Sequence, residues 1–112
     1  MSDVIDMDHL ARYTGGDTTL NAEILRLFET QANELVGTLR SILDARDAKS
    51  WKEVTHTIKG AARGVGAFAL ADAAAACEKI DVADQTNAGV AIDKLKSHTD
   101  AVQLFIKSRL TA

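Results

Sequence analysis

The chain has 112 residues, the usual size of one domain, and its 46% hydrophobic and 26% charged residues are ordinary for a globular protein. Its net charge of −3 argues against a protein that binds nucleic acid by neutralising phosphates. The single cysteine excludes an internal disulfide and fits the cytoplasm, where we expect the protein to reside. We find neither a signal-peptide pattern nor an apolar run long enough to cross a membrane.

The first half of the chain predicts two helices. A short helix is expected over about residues 6–14, and Gly15 and Gly16 interrupt it. A long amphipathic helix then follows over about residues 17–46, with Asp17 or Thr18 as its N-cap. Its apolar residues recur at helical spacing, at Leu20, Ile24, Leu27, Phe28, Leu35, Leu39, Ile42 and Leu43.

Three more helices are predicted, over about residues 48–65, 67–82 and 87–110. Asp47 is expected to cap the first of them, Gly64 and Gly66 mark its end, and Thr86 or Asn87 caps the last. The inner side of the last helix is expected to carry Val90, Leu95, Val102, Phe105, Ile106 and Leu110. Together with the absence of proline and of strand-like alternation, the pattern predicts one all-α domain over residues 1–112. We expect an antiparallel up-and-down four-helix bundle with a short additional N-terminal helix.

The segment HTIKGAARGVGA, residues 56–67, holds the most informative residues of the chain. An advance of 100° per residue places the apolar residues of this helix on one side and His56 on the opposite, solvent-facing side. Four further residues share the outer stripe with the histidine: Lys52, Lys59, Gly60 and Arg63.

This arrangement suits phosphoryl chemistry. Neutral imidazole is a good nucleophile near neutral pH, because its unperturbed pKa is about 6.5. An ammonium group beside the ring can pair with the oxygens of an incoming phosphoryl group. A glycine beside the ring leaves a gap through which a partner's active site can approach the helix backbone.

The pattern H-x-x-K-G, formed by His56, Lys59 and Gly60, resembles the phosphotransfer motif of histidine-containing phosphotransfer domains in multistep two-component phosphorelays, of the free-standing bacterial type. The resemblance spans about residues 7–110. Small or apolar residues that match the family follow the motif at Ala61, Ala62, Gly66, Ala67 and Leu70, and matching residues precede it at Leu10, Thr14, Gly15, Gly16 and Asp17. Arg63 departs from the family, which commonly has a small residue there.

The resemblance implies that His56 accepts the phosphoryl group, Lys59 supports it electrostatically and Gly60 keeps the partner's approach clear. Lys52, Arg63 and Gly64 are expected to contact the partner. The implied partners are response-regulator receiver domains, a hybrid histidine kinase, or both. Magnesium would belong to the receiver, so we expect this chain to have no cofactor and no metal of its own. It carries no phosphate-cradling glycine loop and should not phosphorylate itself. We expect a monomer that binds neither nucleic acid nor membrane.

Two other interpretations stay open. The bundle could be a non-catalytic module that docks a receiver or a kinase and acts by sequestration. It could also be a small enzyme that uses His56 as a general base, although the sequence offers no partner carboxylate at triad-like spacing. His9, His98 and Cys77 are interpreted as structural residues, because their spacing does not suit a metal site.

Overall fold

The computed structural model describes residues 4–111, and side chains up to residue 109. Within this part of the chain there are five helices and no strand. They are α1 (Met7–Thr14), α2 (Thr18–Asp44), α3 (Ala48–Val65), α4 (Phe68–Glu78) and α5 (Gln85–Thr111). None of them is both long enough and apolar enough to cross a membrane. The prediction for Leu110 concerns a side chain outside the described residues.

Four of the helices form a closed ring. Helix α2 packs against α3 and α5, α4 packs against the same two helices, and α1 contacts α2 and α3. Two polar contacts between α2 and α5 reveal their direction: Arg40 lies 3.5 Å from Asp93, and the Gln103 side chain donates to Glu29 over 3.5 Å. Because the residue number falls along α2 as it rises along α5, these helices are antiparallel. The predicted four-helix bundle with an additional short N-terminal helix is confirmed.

The contact between α3 and α4 is built on small side chains. Ala62 of α3 and Ala71 and Ala74 of α4 have no exposed surface, and such residues let two helix axes approach closely. Trp51, which is 2% exposed, donates its indole N–H to the backbone oxygen of Cys77 over 3.0 Å. This buried hydrogen bond sets the position of α4 along α3.

Several predicted helix ends are confirmed by their caps. The Asp17 carboxylate accepts from the backbone N–H of Leu20, and the Asp47 carboxylate accepts from that of Ser50. Helix α3 ends at Gly66, whose φ of 87° lies in the left-handed region that favours glycine. Gly64, in contrast, is still helical.

The predicted bounds of three helices need correction. Helix α2 ends at Asp44 rather than 46, since Arg46 has a left-handed φ of 53°. Helix α4 ends at Glu78 rather than 82, because the Asp81 side chain bonds the N–H of Ala83 and favours a turn. Helix α5 begins at 85, and neither Thr86 nor Asn87 is its cap: Asp84 accepts from the backbone N–H of Asn87.

Three residues of the predicted apolar stripes are exposed, of which Leu20 is the least exposed, at 38%. Leu27 is 72% exposed and Val90 is 49% exposed. Leu27 lies beside a shallow groove between α2 and α3, and Val90 beside one between α4 and α5. Both therefore sit at the edges of helix contacts rather than within them, as many apolar residues of a small protein do.

The conformation of Gly66 generates a stability prediction. A Cβ added at Gly66 would lie 2.8 Å from the backbone oxygen of Asp6 and would force a side chain into the left-handed region. We expect Gly66→Ala to lower the free energy of unfolding by about 2 kcal/mol. Gly37→Ala, at an open position inside α2, should raise it by about 0.5 to 1 kcal/mol. Urea unfolding followed by helix circular dichroism measures both, and an unchanged Gly66→Ala midpoint would contradict the argument.

Candidate functional site

The site centres on His56, in the middle of α3. Its neighbours Thr55 and Ile58 are buried in the bundle, whereas the His56 side chain is 70% exposed. The predicted outward orientation of this histidine is therefore confirmed by the geometry. One ring nitrogen is occupied, since Nδ1 lies 3.1 Å from Oε2 of Glu78. Nε2 is the ring nitrogen that remains for a partner.

Glu78 joins the histidine to the lysine of the motif. Its second oxygen, Oε1, accepts from the Lys59 ammonium over 3.1 Å. The side chains of Lys59 and Glu78 are only 17% and 18% exposed. The hydrogen bond and charge of Lys59, and to a smaller extent those of His56, hold the pKa of the Glu78 carboxyl below its usual range despite partial desolvation. Glu78 is thus an anion at neutral pH.

The position of Glu78 follows from the packing of α4. Glu78 is the last residue of that helix and directly follows Cys77, whose backbone oxygen is bonded by Trp51. Trp51 lies five residues before His56 on α3. The same hydrogen bond that sets the two helices against each other therefore brings the Glu78 carboxylate to the imidazole.

This geometry corrects two expectations. Lys59 does not extend freely into solvent from the outer stripe, because it is largely covered and paired with Glu78. The charged group in contact with His56 is a carboxylate rather than a cation. Glu78 could not be recognised from the sequence as the partner of His56, because it lies 22 residues further along the chain. It also belongs to a helix that was predicted to extend to residue 82 rather than to end at Glu78. The one feature of the sequence that could have indicated this role is that Glu78 directly follows Cys77, a residue of the apolar side of α4.

Gly60 and Gly64 leave open surface on α3. Both are exposed, and a Cβ added at either would meet no atom within 4 Å. Close packing against a neighbouring helix therefore does not explain either glycine. Glycine inside a helix lowers stability by up to about 1 kcal/mol relative to alanine. The reason for the two glycines therefore has to lie outside the packing of this chain.

Lys52 and Arg63 are exposed on the same helix, and no ion pair is formed by either side chain within the described residues. Lys52 lines a shallow depression beside His56 together with Lys49, Glu53 and Glu78. The structure thus places Lys52 next to the histidine. Arg63 and Gly64 lie about two turns further along α3, and neither lines this depression.

The remaining candidates lie outside the site. His9 of α1 packs edge-on against Tyr13 and Phe68, with ring centroids 5.6 and 5.1 Å apart. Cys77 is fully buried, and burial raises the pKa of its thiol to about 12, so it is a poor nucleophile. His98 is half-buried on α5. In the part of the chain that the structure describes, no three His, Cys, Asp or Glu side chains are grouped as metal ligands.

The ion pair predicts how the Glu78 carboxyl titrates. Because Lys59 is the main cause of its lowered pKa, Lys59→Met should raise that pKa. A carboxyl with a depressed pKa stabilises the fold above its unfolded pKa and loses this contribution as the pH falls through the folded value. The variant should therefore lose less stability in acid. Carbon NMR of the Glu78 carboxyl measures the shift, with Lys52→Met as the control, and an equal shift in both variants would contradict the assignment.

Comparisons with known proteins agree with this fold. A search of curated proteins finds no match. Among solved structures, the fold is similar to that of histidine-containing phosphotransfer protein B (HptB) from Pseudomonas aeruginosa PAO1. The TM-score is 0.86 at 21% sequence identity, over 97% of this chain and 96% of that one. The Hpt domain family matches residues 23–104, which include all of α3 and α4. The chain therefore belongs to the Hpt domain family.

Proposed function

We propose that the protein is a histidine phosphotransfer protein that relays a phosphoryl group between receiver-domain aspartates in a two-component phosphorelay, through phospho-His56. The observation that carries the proposal is an exposed imidazole whose Nδ1 is held by Glu78, which leaves Nε2 for a partner. Membership of the Hpt domain family supports the same reaction.

Each motif residue has a role in this reaction. The lone pair of Nε2 attacks the phosphorus, while the P–O bond to the donor aspartate breaks and its electron pair leaves with the carboxylate. Lys59, which is held by Glu78, supplies positive charge near the phosphoryl oxygens. Gly60 leaves the helix backbone open, so the partner's aspartate can come into line with the ring nitrogen. In this proposal magnesium and the acid-base groups belong to the receiver domain, and this chain needs no cofactor.

The surface around His56 also fits a protein partner. Lys52 and Arg63 provide positive charge on either side of the histidine, and Gly64 extends the open strip that begins at Gly60.

Next to this strip, Ala61 contributes to a shallow apolar groove that exposed Leu27 borders from α2. We propose that receiver domains dock here, because apolar contacts within a charged rim are typical of protein interfaces. We also expect the protein to be a monomer and to reside in the cytoplasm.

The contact between Glu78 and His56 also bears on the general-base interpretation. A carboxylate on Nδ1 is the arrangement that activates histidine in hydrolases, so the lack of such a partner no longer counts against an enzyme. Three features still oppose it. His56 is 70% exposed, the neighbouring depression is shallow, and the side chains that line it include no hydroxyl or thiol nucleophile. Phosphoryl transfer across a protein interface remains the better explanation.

Replacing the histidine tests the proposed reaction. We expect His56→Gln to abolish labelling by phosphorylated receiver domains, because the imidazole nucleophile is lost, while the bundle stays folded because the side chain is 70% exposed. His98→Gln, which removes a half-buried histidine of α5, should label like wild type. The measurement is transfer from a panel of radiolabelled receivers, with circular dichroism as the check on folding.

The outcomes separate the two main interpretations. Label on wild type that is labile in acid and stable in base, and absent from His56→Gln, would identify phosphohistidine. Equal label on His56→Gln would refute the role of this residue. Binding to a receiver without any label would instead support the non-catalytic docking module.

Gly60 gives a second test, based on access. Gly60→Arg should slow transfer at least tenfold, because a long side chain would stand where the partner approaches, and small misplacements of reacting groups are costly. Gly37→Arg is the matched control, since Gly37 is also an exposed helical glycine with open space around it, but lies on α2. Both variants should keep wild-type helicity. Equal transfer rates in the two variants would argue against the role of Gly60.

A further inference from the structure

We propose that Lys52 binds the phosphoryl group of phospho-His56 whenever no receiver is bound, and so prolongs the life of the phosphorylated carrier. The inference rests on the proposed function. It gives Lys52, which lies outside the H-x-x-K-G motif, a contact with the transferred group itself. Its basis is the pairing of charges around the depression beside His56, which leaves one lysine there without a carboxylate among the described residues.

The two carboxylates that line this depression are each matched to a lysine. The Glu53 carboxylate lies 3.9 Å from the Lys49 ammonium, one turn earlier on α3, and the Glu78 carboxylate bonds the Lys59 ammonium over 3.1 Å. Lys52 lines the same depression, is exposed, and forms no ion pair within the part of the chain that the structure describes. Its positive charge is therefore the one that no neighbouring carboxylate offsets.

Helix geometry brings the histidine ring towards Lys52. The Cα–Cβ bonds of an α-helix tilt towards its N-terminus, so each side chain covers the surface of the preceding turn. Lys52 lies four residues before His56, the spacing at which two side chains on a helix surface are neighbours. Apart from Glu78, every residue that lines the depression lies on α3 at or before His56. The depression thus opens on the side of the ring where Lys52 lies.

A phosphoryl group on Nε2 needs what Lys52 can provide. The group carries up to about two negative charges and three acceptor oxygens, and an ammonium offers three donors. Lys59 already donates to Glu78 and is 17% exposed, so a full turn towards the phosphoryl group would leave a largely covered carboxylate unpaired. Lys52 can move without breaking an ion pair. The depression has a volume of about 490 Å³, which leaves room for a phosphoryl group and an ammonium.

The contact should slow the loss of the phosphoryl group to water. In hydrolysis the oxygen of water bonds to phosphorus as the P–N bond breaks, and the electron pair of that bond returns to Nε2. The products are neutral imidazole and inorganic phosphate. In the loose transition state the phosphoryl group resembles metaphosphate and bears less negative charge than before. A cation on its oxygens therefore stabilises phospho-His56 more than the transition state.

Arg63 does not replace Lys52 in this role. It is also an exposed cation of α3 without an ion pair among the described residues. It lies seven residues after His56, however, which is about 10 Å along the helix axis, and on the side towards which the ring does not lean. It does not line the depression.

The experiment compares wild type with Lys52→Gln, Lys52→Arg and Lys94→Gln. Lys94 is an exposed lysine of α5 that forms no ion pair within the described residues, so its replacement is the charge-matched control. The proteins are phosphorylated with phosphoramidate, whose phosphoryl group passes to Nε2 as ammonia leaves. Phosphorus NMR follows the loss of phosphohistidine at neutral pH, in low salt and in about 1 M salt. Nitrogen NMR of the lysine ammonium groups is recorded before and after phosphorylation.

We expect Lys52→Gln to lose the phosphoryl group about threefold faster than wild type in low salt, as suits an exposed charge pair. In about 1 M salt the two rates should converge, because an exposed pair is screened. In wild type, phosphorylation should shift the ammonium signal of Lys52. Lys52→Arg should keep most of the wild-type lifetime, and Lys94→Gln all of it.

Three results would overturn the proposal. They are a wild-type lifetime in Lys52→Gln, an equal acceleration in Lys94→Gln, and an acceleration in Lys52→Gln that persists in high salt, since the last would indicate a change of structure rather than a lost charge pair.

The inference and the proposed function fail separately. If no receiver exchanges phosphoryl groups with His56, the proposed function fails. The lifetimes of the chemically phosphorylated proteins then still decide the role of Lys52, because they are measured without a receiver. If phosphoramidate does not label His56, the inference is refuted as well, because Lys52 would have no phosphoryl group to bind.

Discussion

The hydrogen bond from the Trp51 indole to the backbone oxygen of Cys77 fixes the geometry on which the site depends. It is buried, so breaking it would leave a polar group unpaired in an apolar setting and carry a substantial free-energy cost. The buried alanines of α3 and α4 let the two helices come close enough for short side-chain contacts between them. A change of one residue in the alignment of these helices would turn Glu78 by about 100° and move its carboxylate away from His56.

Because of that constraint, the chemistry rests on two rigid helices rather than on loops. His56 and Lys59 lie on one turn of α3, and the carboxylate that joins them comes from the last turn of α4. Ion pairs near a surface contribute little to stability in general, so the value of the Lys59–Glu78 pair lies in the orientation it gives to the imidazole. The bundle supplies a fixed nucleophile, and the partner has to supply the rest of the reaction site.

Most of the fold could be predicted from local patterns. Apolar spacing located the long helices, and the caps at Asp17 and Asp47 were recognisable because they act within three residues. The errors arose where local competition decided the outcome, as at Asp81, whose side chain favours a turn over further helix. His56 was accessible to the same reasoning, since its orientation depends only on the periodicity of α3. Glu78 was not, because its role depends on the packing of two helices, which periodicity alone does not specify.

A phosphoryl carrier has two opposite requirements, access to the reacting nitrogen and a fixed orientation of the ring. The open surface at Gly60 serves the first, and the covered carboxylate of Glu78 serves the second. The reacting nitrogen has to be accessible to the active sites of other proteins, so no wall or lid can enclose it, and His56 is accordingly 70% exposed. An imidazole side chain that is open to water, however, can rotate freely and can adopt either tautomer. The Glu78 carboxylate contacts Nδ1, the nitrogen that does not react in the proposed transfer, and so restrains the ring while the His56 side chain stays exposed. In the proposed reaction, the carboxylate can act on His56 in every complex, whichever receiver domain is bound above it.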